Sequence, residues 1–303
     1  MQTETIFNSL RSKFFSETAR KKIETIFVFI AITSFVLHLL LIALVHLNLL
    51  QINTTSHLLN NPIAAIYTPF SFILVYEVYL LIFYLPKSTT IYIGKQYEII
   101  TLIVIRRVFK DLSKLELSSD WFVTKNDIQF SYDLIATLLL FFMIFVFYRL
   151  NDKKDGRLEK KEGLSLDILR FIKIKNLVAF SLIPIFLVLS VYTFGRLIYI
   201  SFFSLSDLVN SITDVNKIFF ADFFTILILV DVLLLLFSFL HTDKFNAVIR
   251  NSGYIISTIL IKLSFGIEGI LNTILILVAV LFGVAILAIH NRFEKYSVSK
   301  KYS

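Results

Sequence analysis

The chain has no cysteine, and its 303 residues include one tryptophan, four prolines and eight glycines. Without cysteine, disulfides, thiolate metal sites and thiol catalysis are all excluded. Charge is scarce as well, at 17% Asp, Glu, Lys and Arg, against about 25% in an ordinary soluble domain. No glycine-rich phosphate loop, G-x-S-x-G or H-E-x-x-H occurs, although there are five histidines. A potassium filter needs a T-V-G-Y-G type of loop, of which SGYIIST at 252–258 keeps only the Gly-Tyr pair. A voltage sensor needs arginine at every third position of an apolar helix, whereas Arg106, Arg107 and Lys110 cluster at one end of theirs. These absences argue against an enzyme, and no cofactor or metal is expected.

What the chain does have is apolar surface. Hydrophobic residues make up 57% of it and the mean hydropathy is +0.79. They fall in runs near 20 residues, long enough at about 1.5 Å per residue to cross about 30 Å of hydrocarbon, and not in the alternating runs of a barrel. The expected fold is therefore all-α, a polytopic transmembrane helical bundle. The first 24 residues are polar and basic with no small-residue cleavage pattern, so no removed leader is expected. The net charge of +8 gathers beside apolar segments, which suits anionic lipid at the inner face rather than nucleic acid. A homo-oligomer is left open. Plentiful Ile, Phe, Asn and Lys fit an AT-rich bacterial genome, and hence an inner membrane.

Six spans are legible at 24–50, 62–86, 131–150, 176–203, 218–240 and 270–290. Two further segments carry charge: 91–107, with Lys95 and Glu98, and 252–265, with Lys262. If both cross, the chain has eight spans with both termini cytoplasmic, and the eight basic residues of 151–175 lie inside. If neither crosses, leaving six spans and two re-entrant or interfacial helices, that basic stretch moves outside, against the positive-inside rule. Eight spans divide at 151–175, a charged cytoplasmic linker, into membrane halves 1–150 and 176–303. FSFILVYEVYLLIFYL (70–85) aligns with FFTILILVDVLLLLFSF (223–239), matching Glu77 with Asp231, and YEIITLIVIRR resembles YIISTILIKLS. Two parallel four-helix halves follow from such a duplication. FNSLRSKFF and LDILRFIKIK have apolar faces opposite basic ones and are expected to lie flat on the inner surface. Trp121 is expected to anchor an outer loop over 111–131.

The charges inside these spans are the candidate site. A charged side chain in the bilayer centre costs roughly 2.5–3.5 kcal/mol on insertion scales, so it is kept for a partner or a task. Glu77 and Asp231 each lie nine positions before the inner ends of their spans, roughly 13 Å up, with Glu98 near that level. Two carboxylates at one level in low dielectric cannot both ionise cheaply, and Lys95, three residues before Glu98, can neutralise one. Asp231 is expected to pair with Lys262, either to fix helix register or as a bond that an incoming cation or proton breaks. Arg196 and Asp222 are candidates for an outer salt bridge, and Asp133 and Arg149 mark the ends of the fourth span. His38 is expected to be a satisfied hydrogen-bonding residue, and Tyr76 and Tyr79 either donate to Glu77 or pack. Ala279 and Gly283 form a small-xxx-small pair that lets another helix approach. The expected function is a channel or transporter for a small cation or proton using Glu77, Glu98 and Asp231, with Lys95 and Lys262 as counter-charges. The competing expectation is a scaffold, sensor or accessory subunit that docks a partner at its basic cytoplasmic face.

Overall fold

A computed structural model describes residues 15–47, 49, 62–112, 125–155, 166–203, 208–241, 245–267 and 269–302, with the side chains of 193–221 and some shorter stretches left undescribed. Among them are eight α-helices: α1 Glu17–His46, α2 Tyr67–Tyr84, α3 Thr89–Leu112, α4 Lys125–Asp155, α5 Leu166–Phe203, α6 Leu208–His241, α7 Phe245–Ser264 and α8 Ile270–Tyr302. A 3-10 turn, Pro62–Ile66, leads into α2. Five stretches are long and apolar enough to cross a membrane: Glu17–His46, Asp127–Asp152, Arg170–Tyr192, Asp222–Phe239 and Ile270–Tyr296, with the shorter apolar Thr68–Tyr84 beside them. Rows of exposed apolar side chains, such as Leu134, Leu138, Phe141 and Phe145 on α4, suit contact with lipid. The expected flat segment FNSLRSKFF (7–15), apart from Phe15, and residues 113–124 of the expected loop, Trp121 among them, lie outside the described residues, while 111–112 end α3 and 125–131 are helical in α4.

The chain divides into two compact units that are not the two sequential halves: residues up to Tyr84 join Leu187–Asn216, and Leu85–Phe186 join Lys217–Ser303. In the first unit, α1 starts on a Ser16 cap, whose hydroxyl accepts from the Ala19 amide at 3.1 Å, with Glu17 in the first turn against the helix dipole. It runs antiparallel to α2, with Phe15 beside Phe83, Phe27 beside Tyr76 and His38 bonded to Thr68.

In the second unit, four helices interlock. Tyr148 reaches Glu98 and Arg107 reaches Asp133, so α3 and α4 are antiparallel. Ser257 faces Ala279 and Ser264 faces Asn272, so α7 and α8 are antiparallel too, joined by a tight connection in which Gly269 takes φ +73°, which favours glycine. Tyr97 meets Gly283 and Arg107 meets Asn272, so α3 is antiparallel to α8 and hence parallel to α7, to which it is bonded through Gln96 with Thr258 and Tyr97 with Ser257. The matched tyrosines Tyr97 and Tyr254 pack on Phe147 at 5.2 and 6.1 Å. Gly283 receives the side chain of Tyr97, and the Ser257 hydroxyl donates to the Ala279 carbonyl at 2.7 Å, so the small-residue pair admits both α3 and α7.

LDILRFIKIK departs from expectation. It is the start of α5, one continuous helix of 38 residues, not a separate surface helix. The physical reason is that Lys175 and Asn176 are buried, at 7% and 8% exposure, so one edge of the segment faces protein. Pro184 is accommodated inside this helix at the cost of one backbone hydrogen bond.

Candidate functional site

Asp231 lies on the buried stripe of α6, which runs through Phe224, Leu227, Asp231, Leu234 and Ser238 at helical spacing. It is 7% exposed. The stripe of α3 through Tyr92, Gln96 and Ile100 and that of α7 through Tyr254, Thr258 and Ile261 face the same interior. Gln96, fully buried, donates from Nε2 to Asp231 Oδ2 at 3.4 Å, and its Oε1 accepts from the Thr258 hydroxyl at 2.8 Å. This arrangement fixes the amide orientation, since only the nitrogen can donate to a carboxylate. Thr258 also reaches the Tyr254 carbonyl at 3.1 Å.

A cavity of about 30 Å³ opens beside the carboxylate, lined among others by Thr89, Tyr92, Lys175, Asp231, Ser238 and Tyr254. One water needs about 10–15 Å³ measured this way, so the space suits one or two. Lys175 is held by long bonds from Nζ to the Lys87 carbonyl, 3.3 Å, and the Thr89 hydroxyl, 3.4 Å, with its ammonium 5.1 Å from the Phe171 ring centre. It attracts Asp231 across the cavity without closing an ion pair. The Tyr92 hydroxyl lies near both Asp231 and Gln96, yet is buried with no hydrogen-bond partner among the described residues. The arrangement is a buried carboxylate with one long hydrogen bond, a facing ammonium, an unpaired phenol and room for water. Such a carboxylate can gain or lose a proton, or hold an ion, without first breaking a tight salt bridge.

Lys262, expected as the counter-charge of Asp231, is not its partner. Among the described residues Asp231 has no ion pair within 4 Å, and Gln96 and Lys175 take that place. The sequence places this segment at 252–265, whereas α7 begins at Phe245. Lys262 lies four residues, about 6 Å, beyond Thr258, at whose level the Asp231 cluster sits.

Glu98 takes Lys95 as its partner, at 2.7 Å to Oε2, and accepts from the Tyr148 hydroxyl as well. Its side chain is 34% exposed, so the pair sits at the edge of the unit, with the lysine neutralising the carboxylate directly. Glu77, 2% exposed, belongs to the first unit. Its neighbours Tyr76 and Tyr79 pack ring to ring at 6.2 Å. His38 bonds Thr68 at 2.5 Å, nine residues or roughly 13 Å along α2 from Glu77, and serves as a satisfied polar residue. Asp222 is exposed, and Arg196 lies where side chains are not described.

The strongest buried charge network was not visible beforehand. Arg107 donates to both oxygens of Asp133, Nε at 2.5 Å and Nη2 at 2.6 Å, to Thr273 at 2.7 Å and to Asn272, while the Thr273 hydroxyl donates to Asp133 at 2.7 Å. Asp133 is fully buried. The network ties α3, α4 and α8 together in bidentate geometry, which marks it as structural. Gln96, Tyr92 and Lys175 were also missed. The signal for the first two is the 92/96/100 helical spacing, which the charged Lys95 and Glu98 of the neighbouring face mask. Comparison with protein-family models, curated proteins and solved structures finds no match for this chain.

Proposed function

We propose that this is a multi-pass membrane protein that conducts or transports a small cation, the proton included, with Asp231 as the ion-handling carboxylate. One observation carries the proposal: Asp231 is buried at 7% exposure in an apolar helix, held among the described residues by one long hydrogen bond from Gln96 and bordering a cavity. An ionisable group kept inside a membrane without a tight partner is costly unless it has a task. The Arg107 and Asp133 network supplies the contrast, because there every charge is directly paired. Glu77 is the second candidate, while Glu98, neutralised by Lys95, takes a lesser part. The reading keeps eight crossings with both termini cytoplasmic, α3 and α7 being the two polar ones.

The test is flux in proteoliposomes. Asp231→Asn is expected to reduce proton or monovalent-cation flux by about 100-fold or more, at the lower end of what a positioned proton-transfer group contributes, while purifying as a monodisperse protein. Glu77→Gln run in parallel shows whether the first unit takes part. Wild-type protein without flux, or flux untouched by Asp231→Asn, would sink the proposal and favour a scaffold that docks a partner at its basic cytoplasmic face.

A further inference from the structure

We infer that the Asp231 cavity handles protons rather than alkali-metal ions, because Lys175 is a tethered cation that lines the same cavity. This deepens the transport reading and rests on it. Asp231 and Lys175 are each 7% exposed and line one cavity, so the carboxylate already faces one positive charge in a low-dielectric setting. A second positive charge is near, since Arg250 on α7 repels Lys175; its guanidinium is bonded to Asn251, with the His290 ring nitrogen at 3.3 Å. The remaining titratable groups facing the cavity are the phenols Tyr92 on α3 and Tyr254 on α7. A sodium or potassium ion entering here would put two cations against one carboxylate, and each would lose its water. A proton meets neither difficulty.

Volume points the same way. About 30 Å³ admits one or two waters, so an alkali ion could enter only after shedding its hydration shell, a cost that a relayed proton does not meet. The polar lining is also suited to a relay. Tyr92 and Tyr254 each bring a buried hydroxyl with no hydrogen-bond partner among the described residues, and Ser238 and Thr89 add two more hydroxyls. A buried hydroxyl of this kind calls for a water. In the proposed step an excess proton carried by a cavity water as hydronium passes to an Asp231 oxygen, the water's O–H bond breaking as the carboxyl O–H forms, so that a neutral water and a neutral carboxyl remain; the reverse transfer to a cavity water releases the proton. Lys175 keeps its charge and sets the selectivity.

The experiment uses full-length protein in liposomes with an internal pH dye, and separately with sodium- and potassium-sensitive dyes. Wild type is expected to pass protons, to be indifferent to added sodium or potassium, and to lose proton flux in Asp231→Asn. Lys175→Gln, with Lys175→Met as a second neutral variant, is expected to show proton flux that sodium or potassium inhibits severalfold, whereas Lys175→Arg stays indifferent. A merely structural lysine would not create that sensitivity. Alkali-ion flux in wild type that Asp231→Asn abolishes would overturn the proton assignment and leave the transport reading standing. No flux of any ion would end both. Proton flux that remains alkali-insensitive in the neutral Lys175 variants would overturn the role given to Lys175. If neither neutral variant purifies, the ion selectivity of wild type decides the assignment.

Discussion

Arg107→Ala lowers the melting temperature of the detergent-solubilised protein by roughly 6–20 °C. This follows from a loss of about 3–5 kcal/mol for breaking a buried pair, spread over a unit of this size. The expected cost is unequal across the network. Removing the guanidinium leaves Asp133, fully buried, with the Thr273 hydroxyl as its remaining side-chain donor among the described residues. Removing the carboxylate in Asp133→Ala leaves an arginine whose side chain is 22% exposed and still bonded to Asn272 and Thr273, so the penalty is smaller. Thr273→Val removes a neutral group from between the charges, and interhelical hydrogen bonds of that kind contribute only about 0.6–1.7 kcal/mol in membrane proteins. The order Arg107→Ala, then Asp133→Ala, then Thr273→Val is checked by thermal melts followed by gel filtration. The double variant Arg107→Met/Asp133→Leu should recover most of the loss, because it leaves neither charge stranded. Double and single losses that simply add would show that the pair is not coupled.

The same contrast explains what could be read from the chain beforehand. Helices α1, α4 and α8 announced themselves, because a face toward lipid and a face toward protein are both apolar and the whole run reads as one. The segments 91–107 and 252–265 were ambiguous for the opposite reason. Gln96 and Thr101 on α3, and Ser257 and Thr258 on α7, are polar yet buried, so polarity that looks like a poor span is the lining of the interior. Depth counted from the first apolar residue was the weak step. It put Asp231 level with Lys262, and the true start of α7 at Phe245 moves Thr258 to that level. Lys175 was hidden by a pattern shared with surface helices, since a basic residue near an apolar stripe snorkels as readily as it turns inward. The Arg107 and Asp133 pair joins residues on different helices, and no local spacing reveals it. Asp231 stands out in the sequence as a candidate, because a single carboxylate in a leucine-rich run needs a partner or a task, and its burial is what the structure adds.

The second large effect falls on Gly283, where the fold and the proposed site meet. A Cβ added there would lie 1.6 Å from the Tyr97 hydroxyl oxygen and 2.7 Å from its ring carbon, so Gly283→Ala cannot be accommodated without moving Tyr97. Tyr97 has nowhere close to go. It is fully buried, bonded to the Ser257 hydroxyl at 2.8 Å and edge-on to Phe147 at 5.2 Å. Alanine improves helix propensity by about 1 kcal/mol over glycine, but overpacking costs about 1–3 kcal/mol or more and the hydrogen bond is lost with it. Destabilisation therefore wins, and the melt should fall. Gly94→Ala makes the control: its Cβ meets the hydroxyl end of the partly exposed Tyr148 ring at 3.0–3.2 Å, so the ring need give only a few tenths of an ångström and little change is expected. Tyr97→Phe should not rescue Gly283→Ala, since the ring carbon still clashes, whereas the shorter Tyr97→Leu should restore part of the melt. Because Gln96 precedes Tyr97 on α3, displacing the ring also draws the Gln96 amide away from Asp231. Gly283→Ala is therefore expected to lower flux per folded molecule as well as stability. A variant that melts low but transports normally would separate the packing of α3 from the carboxylate it supports.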